Sequence, residues 1–147
     1  MRQAIISFFL LMATFCPSAL AAACPNLSVH PGITTLFLQT DFGEKDTASK
    51  IFATGMEDAI KKSRQFCLVQ DLRAANFALD LAGVDITEDH ERAAVSMVLI
   101  SEKGSLLTHW IRVSSIDNTE KNCQEDVVKV DRAIQRSKRH RQVEARP

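Results

Sequence analysis

The sequence predicts an α+β fold, a two-layer sandwich with a mixed or antiparallel sheet and two helices on one face, in the order β-α-β-β-β-β-α. Three observations carry that expectation. Apolar and β-branched residues recur with strand-like patterning in several short runs between positions 33 and 114. The period changes to that of a helix in two places, from Asp46 and again from Thr119. A run of strands flanked by only two amphipathic helices is most simply covered by both helices on the same side.

Each element follows from its own residues. Residues 33–39, ITTLFLQ, are β-branched and apolar on both alternate faces, and His30-Pro31-Gly32 punctuates the chain before them, which predicts a central strand. Beyond it, Ile51, Phe52, Met56, Ala59 and Ile60 fall at helical spacing. Asp46 or Thr47 is placed to cap the start of that helix, and Lys61, Lys62 and Arg64 suit the negative end of its dipole. Gly55 in its middle costs about 1 kcal/mol relative to Ala, which points to close packing against the sheet.

Residues 65–69 predict a short strand, and 76–82 alternate with Phe77, Leu79 and Leu81 on one face. Two further strand-like runs, 93–100 and 106–114, are separated by Ser101-Glu102-Lys103-Gly104-Ser105, whose length and glycine signal a hairpin. From Thr119, Cys123, Val127, Val130 and Ile134 form one helical stripe, with Glu120 in the first turn. If Val95, Met97, Leu99, Leu107, Ile111 and Val113 join the Phe77 face under the helices, the opposite face displays Asp80, Ser96, Val98, Thr108, Trp110 and Arg112. Trp and Arg are enriched at binding hot spots, so Trp110, Arg112, Val98 and Thr108 are the candidate partner surface.

The ends of the chain speak to compartment. Arg2, the apolar stretch 4–15 and the small residues 16–23 have the three parts of a secretory signal, with cleavage after Ala21 or Ala23. The expected organisation is a signal peptide over 1–23, one α/β domain over 24–138 and a basic tail over 139–147. About 124 residues then remain, the size of one domain. Ala21-Ala22-Ala23-Cys24 also reads as a degenerate lipobox, which would acylate Cys24 and tether the protein to the outer membrane. The expected location is therefore periplasmic or secreted, with membrane contact only if Cys24 carries lipid.

Loss of Arg2 with the signal leaves 17 basic against 18 acidic residues, which gives no global charge to attract nucleic acid or acidic lipid. The basic residues cluster at the end, in Arg136, Lys138, Arg139 and Arg141, where a frayed and solvated helix end is favoured over a contact with an acidic partner. Cys16 also leaves with the signal, so Cys24, Cys67 and Cys123 allow one bridge in an oxidising compartment. Cys67 to Cys123 is the expected pair, worth roughly 3 to 4 kcal/mol by chain entropy. Pairings of Cys24 with Cys67 or with Cys123 remain open.

No constellation singles out a chemistry. His30, His90, His109 and His140 share no metal-ligand spacing, and Asp89-His90-Glu91 reads as an acidic surface turn. Asp41-Phe42-Gly43 lacks every companion of the kinase tripeptide it copies. No nucleophile elbow, phosphate loop or dinucleotide fingerprint is present. No catalytic residue, metal or cofactor is expected.

Residues 52–60, Phe66-Cys67-Leu68-Val69, Ala75-Asn76-Phe77-Ala78-Leu79, 95–100 and the stretch from Gly104 to Trp110 resemble the layout of the amino-terminal domain of TolB and related envelope domains. The resemblance covers most of the mature chain and lacks the propeller that follows the domain in TolB. It implies a periplasmic module that binds another envelope or secreted protein and is not an enzyme. A small secreted inhibitor or effector acting through loop 88–91 or 102–105 is the alternative, and an unrecognised enzyme the third.

Overall fold

A computed structural model describes residues 33–144. The signal segment, both cleavage positions, Cys24 and residues 145–147 lie outside the described residues. The elements run β1 (Thr34–Phe42), α1 (Thr47–Lys62), β2 (Phe66–Val69), β3 (Phe77–Asp85), β4 (Arg92–Ser101), β5 (Leu106–Ser115) and α2 (Thr119–Glu144), with short 3₁₀ turns over Leu72–Ala74 and Ile116–Asn118. This is the α+β order expected from the sequence. The sheet is mixed, in the order β2-β1-β3-β4-β5. β1 pairs in parallel with β2 and β3, and β3, β4 and β5 pair antiparallel.

One face of the sheet carries the core. Leu36 of β1, Leu79 and Leu81 of β3, and Val95, Met97 and Leu99 of β4 are fully buried against Phe52, Met56 and Ile60 of α1 and Val130 and Ile134 of α2. Each such side chain contributes about 1.5–3 kcal/mol by leaving water. The other face is covered only near β2, where Cys67, Val69 and Ala75 form a small second cluster with Ile33 and Phe37.

The start of α1 is held differently from the sequence expectation. Asp46 does not cap the helix with its side chain. Its carboxylate turns back to accept from the Gly43 and Asp85 amides at 2.7 and 3.0 Å. The cap comes from Asp85 at the end of β3, which accepts from the Ala48 and Ser49 amides at 3.1 and 2.9 Å and from the Ser49 hydroxyl at 3.1 Å. Asp85 thus satisfies two helix N–H groups that have no intrahelical acceptor, while Asp46 binds the loop before the helix and the end of β3.

Gly55 packs against the second helix and not against the sheet. A Cβ there would sit 2.7 Å from the Thr119 methyl and 3.3 Å from Cys123 Sγ, so its missing side chain lets α1 and α2 approach. The expected bridge between Cys67 and Cys123 is not formed, because Cys123 is free and buried. Its Sγ donates to the Phe52 carbonyl at 3.5 Å, and burial, with the nearby Asp126 charge, pushes the thiol up to about 12. It faces α1, whereas Cys67 belongs to the cluster on the opposite side of the sheet. Cys67 is disulfide-bonded, and with Cys123 free its partner lies outside the described residues.

Candidate partner-binding groove

The largest departure from the sequence expectation lies in β5. Paired residues in an antiparallel ladder point to the same face, and Thr108, Trp110 and Arg112 pair with Leu99, Met97 and Val95. They therefore lie under the helices, while His109, Ile111 and Val113 point to the open face. The expected partner surface is split: Val98 remains on the open face, and Thr108, Trp110 and Arg112 do not. The cause is a register irregularity at Leu99/Ile100, where Leu106 pairs with Ile100 and Thr108 with Leu99, so that Leu107 is skipped. A one-residue slip inverts every side chain beyond it.

The inward set of β5 is polar because α2 presents polar groups to it. Asp126 is fully buried in the second turn of α2. Trp110 Nε1 donates to its Oδ1 at 3.1 Å, Arg112 Nη2 to the same oxygen at 2.6 Å, and Arg112 Nε to Oδ2 at 3.0 Å. Lys129 Nζ adds an ion pair at 3.2 Å and stands 5.9 Å from the centre of the Trp110 ring. Asn122 continues the row, donating to the Ser114 hydroxyl at 2.8 Å. The hydrogen bond to Asp126, more than the surrounding charges, raises the Arg112 guanidinium above its usual value. Among the described residues every buried side-chain nitrogen and oxygen has a partner, as a buried polar network requires.

This cluster fixes one wall of a groove of about 750 Å³ between β5 and the second half of α2. Lys129, Arg132, Arg136 and His140 line it from the helix and Lys103 from the hairpin, while Leu107, Trp110 and Ala133 give it an apolar floor. No carboxylate is among its lining residues. Among the described residues none pairs with Lys103, Arg132 or Arg136 either. The hairpin that holds Lys103 is closed by the Ser101 amide on the Ser105 carbonyl and the Gly104 amide on the Ser101 carbonyl, at 2.9 and 2.8 Å. Gly104 supplies the positive φ of 76° that the turn needs.

The basic end of the chain is also rearranged relative to expectation. α2 continues through position 138 to Glu144, so the basic residues are on a helix and not in a tail. Arg136 faces the groove. Lys138 donates to the Thr34 hydroxyl at 2.9 Å and ties the helix to β1. Arg139 is exposed, and the side chain of Arg141 lies outside the described residues.

The open face is a second, weaker surface. Ser96 Oγ and His109 Nε2 lie 3.2 Å apart on it, and partial burial raises the carboxyl of Asp80 above the usual range. Loop 88–91 is anchored at His90, whose Nδ1 lies 3.0 Å from the buried Asp85 carboxylate and whose φ is 57°. No group of His, Cys, Asp and Glu among the described residues has the geometry of a metal site. No described helix is long and apolar enough to cross a membrane.

No protein-family model matches the chain, and no curated protein does. Among solved structures it is similar to the PelC dodecamer from Paraburkholderia phytofirmans, in wild-type form and as a point variant. Both are 14% identical with a TM-score of 0.44, covering 67% of this chain and 84% or 86% of the PelC chain.

The groove was missed in the sequence because its residues come from two distant segments. One signal was available. Asn122, Asp126 and Lys129 recur at helical spacing as a polar stripe, opposite the alternating Trp110, Arg112 and Ser114.

Proposed function

We propose that this chain is an exported interaction module of the bacterial cell envelope, which binds another envelope or secreted protein through the basic groove between β5 and α2. The observation that carries the reading is that Lys103, Arg132 and Arg136 around that groove have no carboxylate paired with them among the described residues. Such a wall attracts an anionic partner surface and sets its orientation. Lys129 and Arg112 are already spent on Asp126, which leaves Arg132, Arg136 and Lys103 to meet the partner.

Export is supported by the three-part signal over residues 1–23 and by the oxidised state of Cys67. Cys24 is the bridge partner we assign to Cys67, since Cys16 leaves with the signal and Cys123 is free. That assignment replaces lipidation of Cys24. A disulfide-linked peptide pair containing Cys24 and Cys67 in the exported protein is the expected product of non-reducing digestion, and acyl mass on Cys24 would contradict it. The resemblance to the amino-terminal domain of TolB agrees with the envelope location.

The test is co-purification from envelope extracts with the double variant Arg132→Glu/Arg136→Glu beside the wild type. Loss of the same partner band in the variant, with an unchanged unfolding midpoint, is expected. Retention of that band at full intensity would overturn the groove as its site. A second reading, a secreted inhibitor acting through loop 88–91, is favoured by one observation: the His90 anchor on Asp85 stiffens an exposed loop. In that case His90→Ala would abolish partner binding and the double variant would not.

A further inference from the structure

β5 is an edge strand, and it differs from the other edge of the sheet in length and chemistry. β2 ends the sheet with 4 residues, whereas β5 has 10 and leaves Leu106, Ile111 and Val113 exposed at 64, 65 and 49%. Along an edge, alternate residues turn their N–H and C=O groups outward, and a long apolar edge is a template for another strand. The basic groove lies directly beside it.

We propose that β5 accepts an extended, acidic segment of the partner protein as an added strand, with alternate carboxylates of that segment facing the cations of α2. The inference rests on the groove reading above and specifies how the partner enters it. In an added strand, side chains on one face recur about every 6.7 Å. Arg132 and Arg136 follow one another at a helix rise of about 6 Å, close enough for their long side chains to meet that repeat. The segment's other face then lies beside Ile111 and Val113, which favours apolar residues there. The recognised pattern is acidic alternating with apolar, held by main-chain hydrogen bonds for affinity and by the cations for register.

The protein carries its own reporter, because Trp110 is its single tryptophan and stands in the groove. The experiment titrates the exported protein with a ten-residue peptide of alternating Val and Glu and follows Trp110 emission and hydrogen exchange of the β5 amides. A parallel titration uses the same peptide N-methylated at alternate positions, and a third uses phosphatidylglycerol vesicles. The expected result is saturable binding, slowed exchange on the outward amides of β5, and binding weakened at least about tenfold by N-methylation and by Arg132→Glu/Arg136→Glu.

Equal binding of the methylated peptide, without protection of β5, would overturn strand addition while leaving an anionic groove in place. No binding of either peptide would overturn strand addition as well, and partner loss in the double variant would then still stand for the groove. A response to the vesicles alone would replace the acidic segment by an anionic lipid surface.

Discussion

Two buried carboxylates, Asp85 and Asp126, are satisfied in different ways. Asp85, with a side chain 3% exposed, is held by two backbone donors, the Ala48 and Ser49 amides of α1, and by two side chains, the Ser49 hydroxyl and His90. Asp126, fully buried, is held only by side chains, those of Trp110, Arg112 and Lys129. Backbone donors are fixed by the fold and cannot be exchanged by mutation. Side-chain donors can be exchanged as a set. Asp85 therefore closes a turn that the topology creates, whereas Asp126 receives the inward side chains of β5 and so braces the wall of the groove.

The largest expected effect follows from Asp126. Asp126→Ala leaves the largely buried Arg112 guanidinium with only the more distant Glu125 carboxylate at 3.4 Å and is expected to cost about 3 kcal/mol in urea unfolding. The comparison sharpens if Arg112→Met is combined with Asp126→Leu, since an apolar pair of similar volume recovers most of that loss. Asp85→Ala is expected to cost about 2 kcal/mol, the upper range for a helix cap, and no second-site side-chain change recovers it fully because two of its donors are amides. If Asp85→Ala proved as recoverable as Asp126→Ala, the contrast would fail.

Acid tests the Asp85 site. Burial alone would raise the Asp85 carboxyl, but its bonds from the Ser49 and Ala48 amides, then from His90 and the Ser49 hydroxyl, outweigh that and hold it below the ordinary value. A carboxylate with a depressed folded value stabilises the protein above the unfolded value of about 3.9 and loses that contribution as pH falls through the lower folded value. Wild-type stability is thus expected to drop in that acid window, and Asp85→Asn to flatten the drop, in unfolding midpoints measured from pH 5 downward.

A smaller effect is expected between the helices. Gly55→Ala gains about 1 kcal/mol of helix propensity but drives a Cβ into the Thr119 methyl, and overpacking of this kind costs about 1–3 kcal/mol. The net expectation is a loss of about 1 kcal/mol, and pairing it with Thr119→Ser should restore the midpoint. The smallest effect on stability, within about 0.5 kcal/mol, is expected for Arg132→Glu/Arg136→Glu, because both side chains are exposed. The same variant carries the largest expected effect on binding.

The element order and the Phe77-Leu79-Leu81 face were legible because local period and side-chain pattern agree there. Those strands bury apolar groups, and patterning reports apolar burial directly. β5 was not legible for the opposite reason. Ile111 and Val113 make an apolar alternation that points outward beyond the register irregularity at Leu99/Ile100, and Trp110 and Arg112 point inward, where a buried acid on α2 receives them. Pattern alone has no access to a partner 14 or 16 residues away in sequence. The cap of α1 failed similarly: Asp46 is the local candidate, and the carboxylate that caps the helix is Asp85, 36 and 37 residues beyond its partners. The bridge went astray because parity says how many cysteines pair and nothing about which side of the sheet each occupies.

The most direct test of the account is site-specific photo-cross-linking in the envelope of cells exporting the protein, with the photoreactive residue placed at Ser137 in the groove or at Val98 on the open face. The account predicts a discrete partner adduct from position 137 and none from position 98. An adduct from position 98 alone would place the partner on the open sheet face and contradict it.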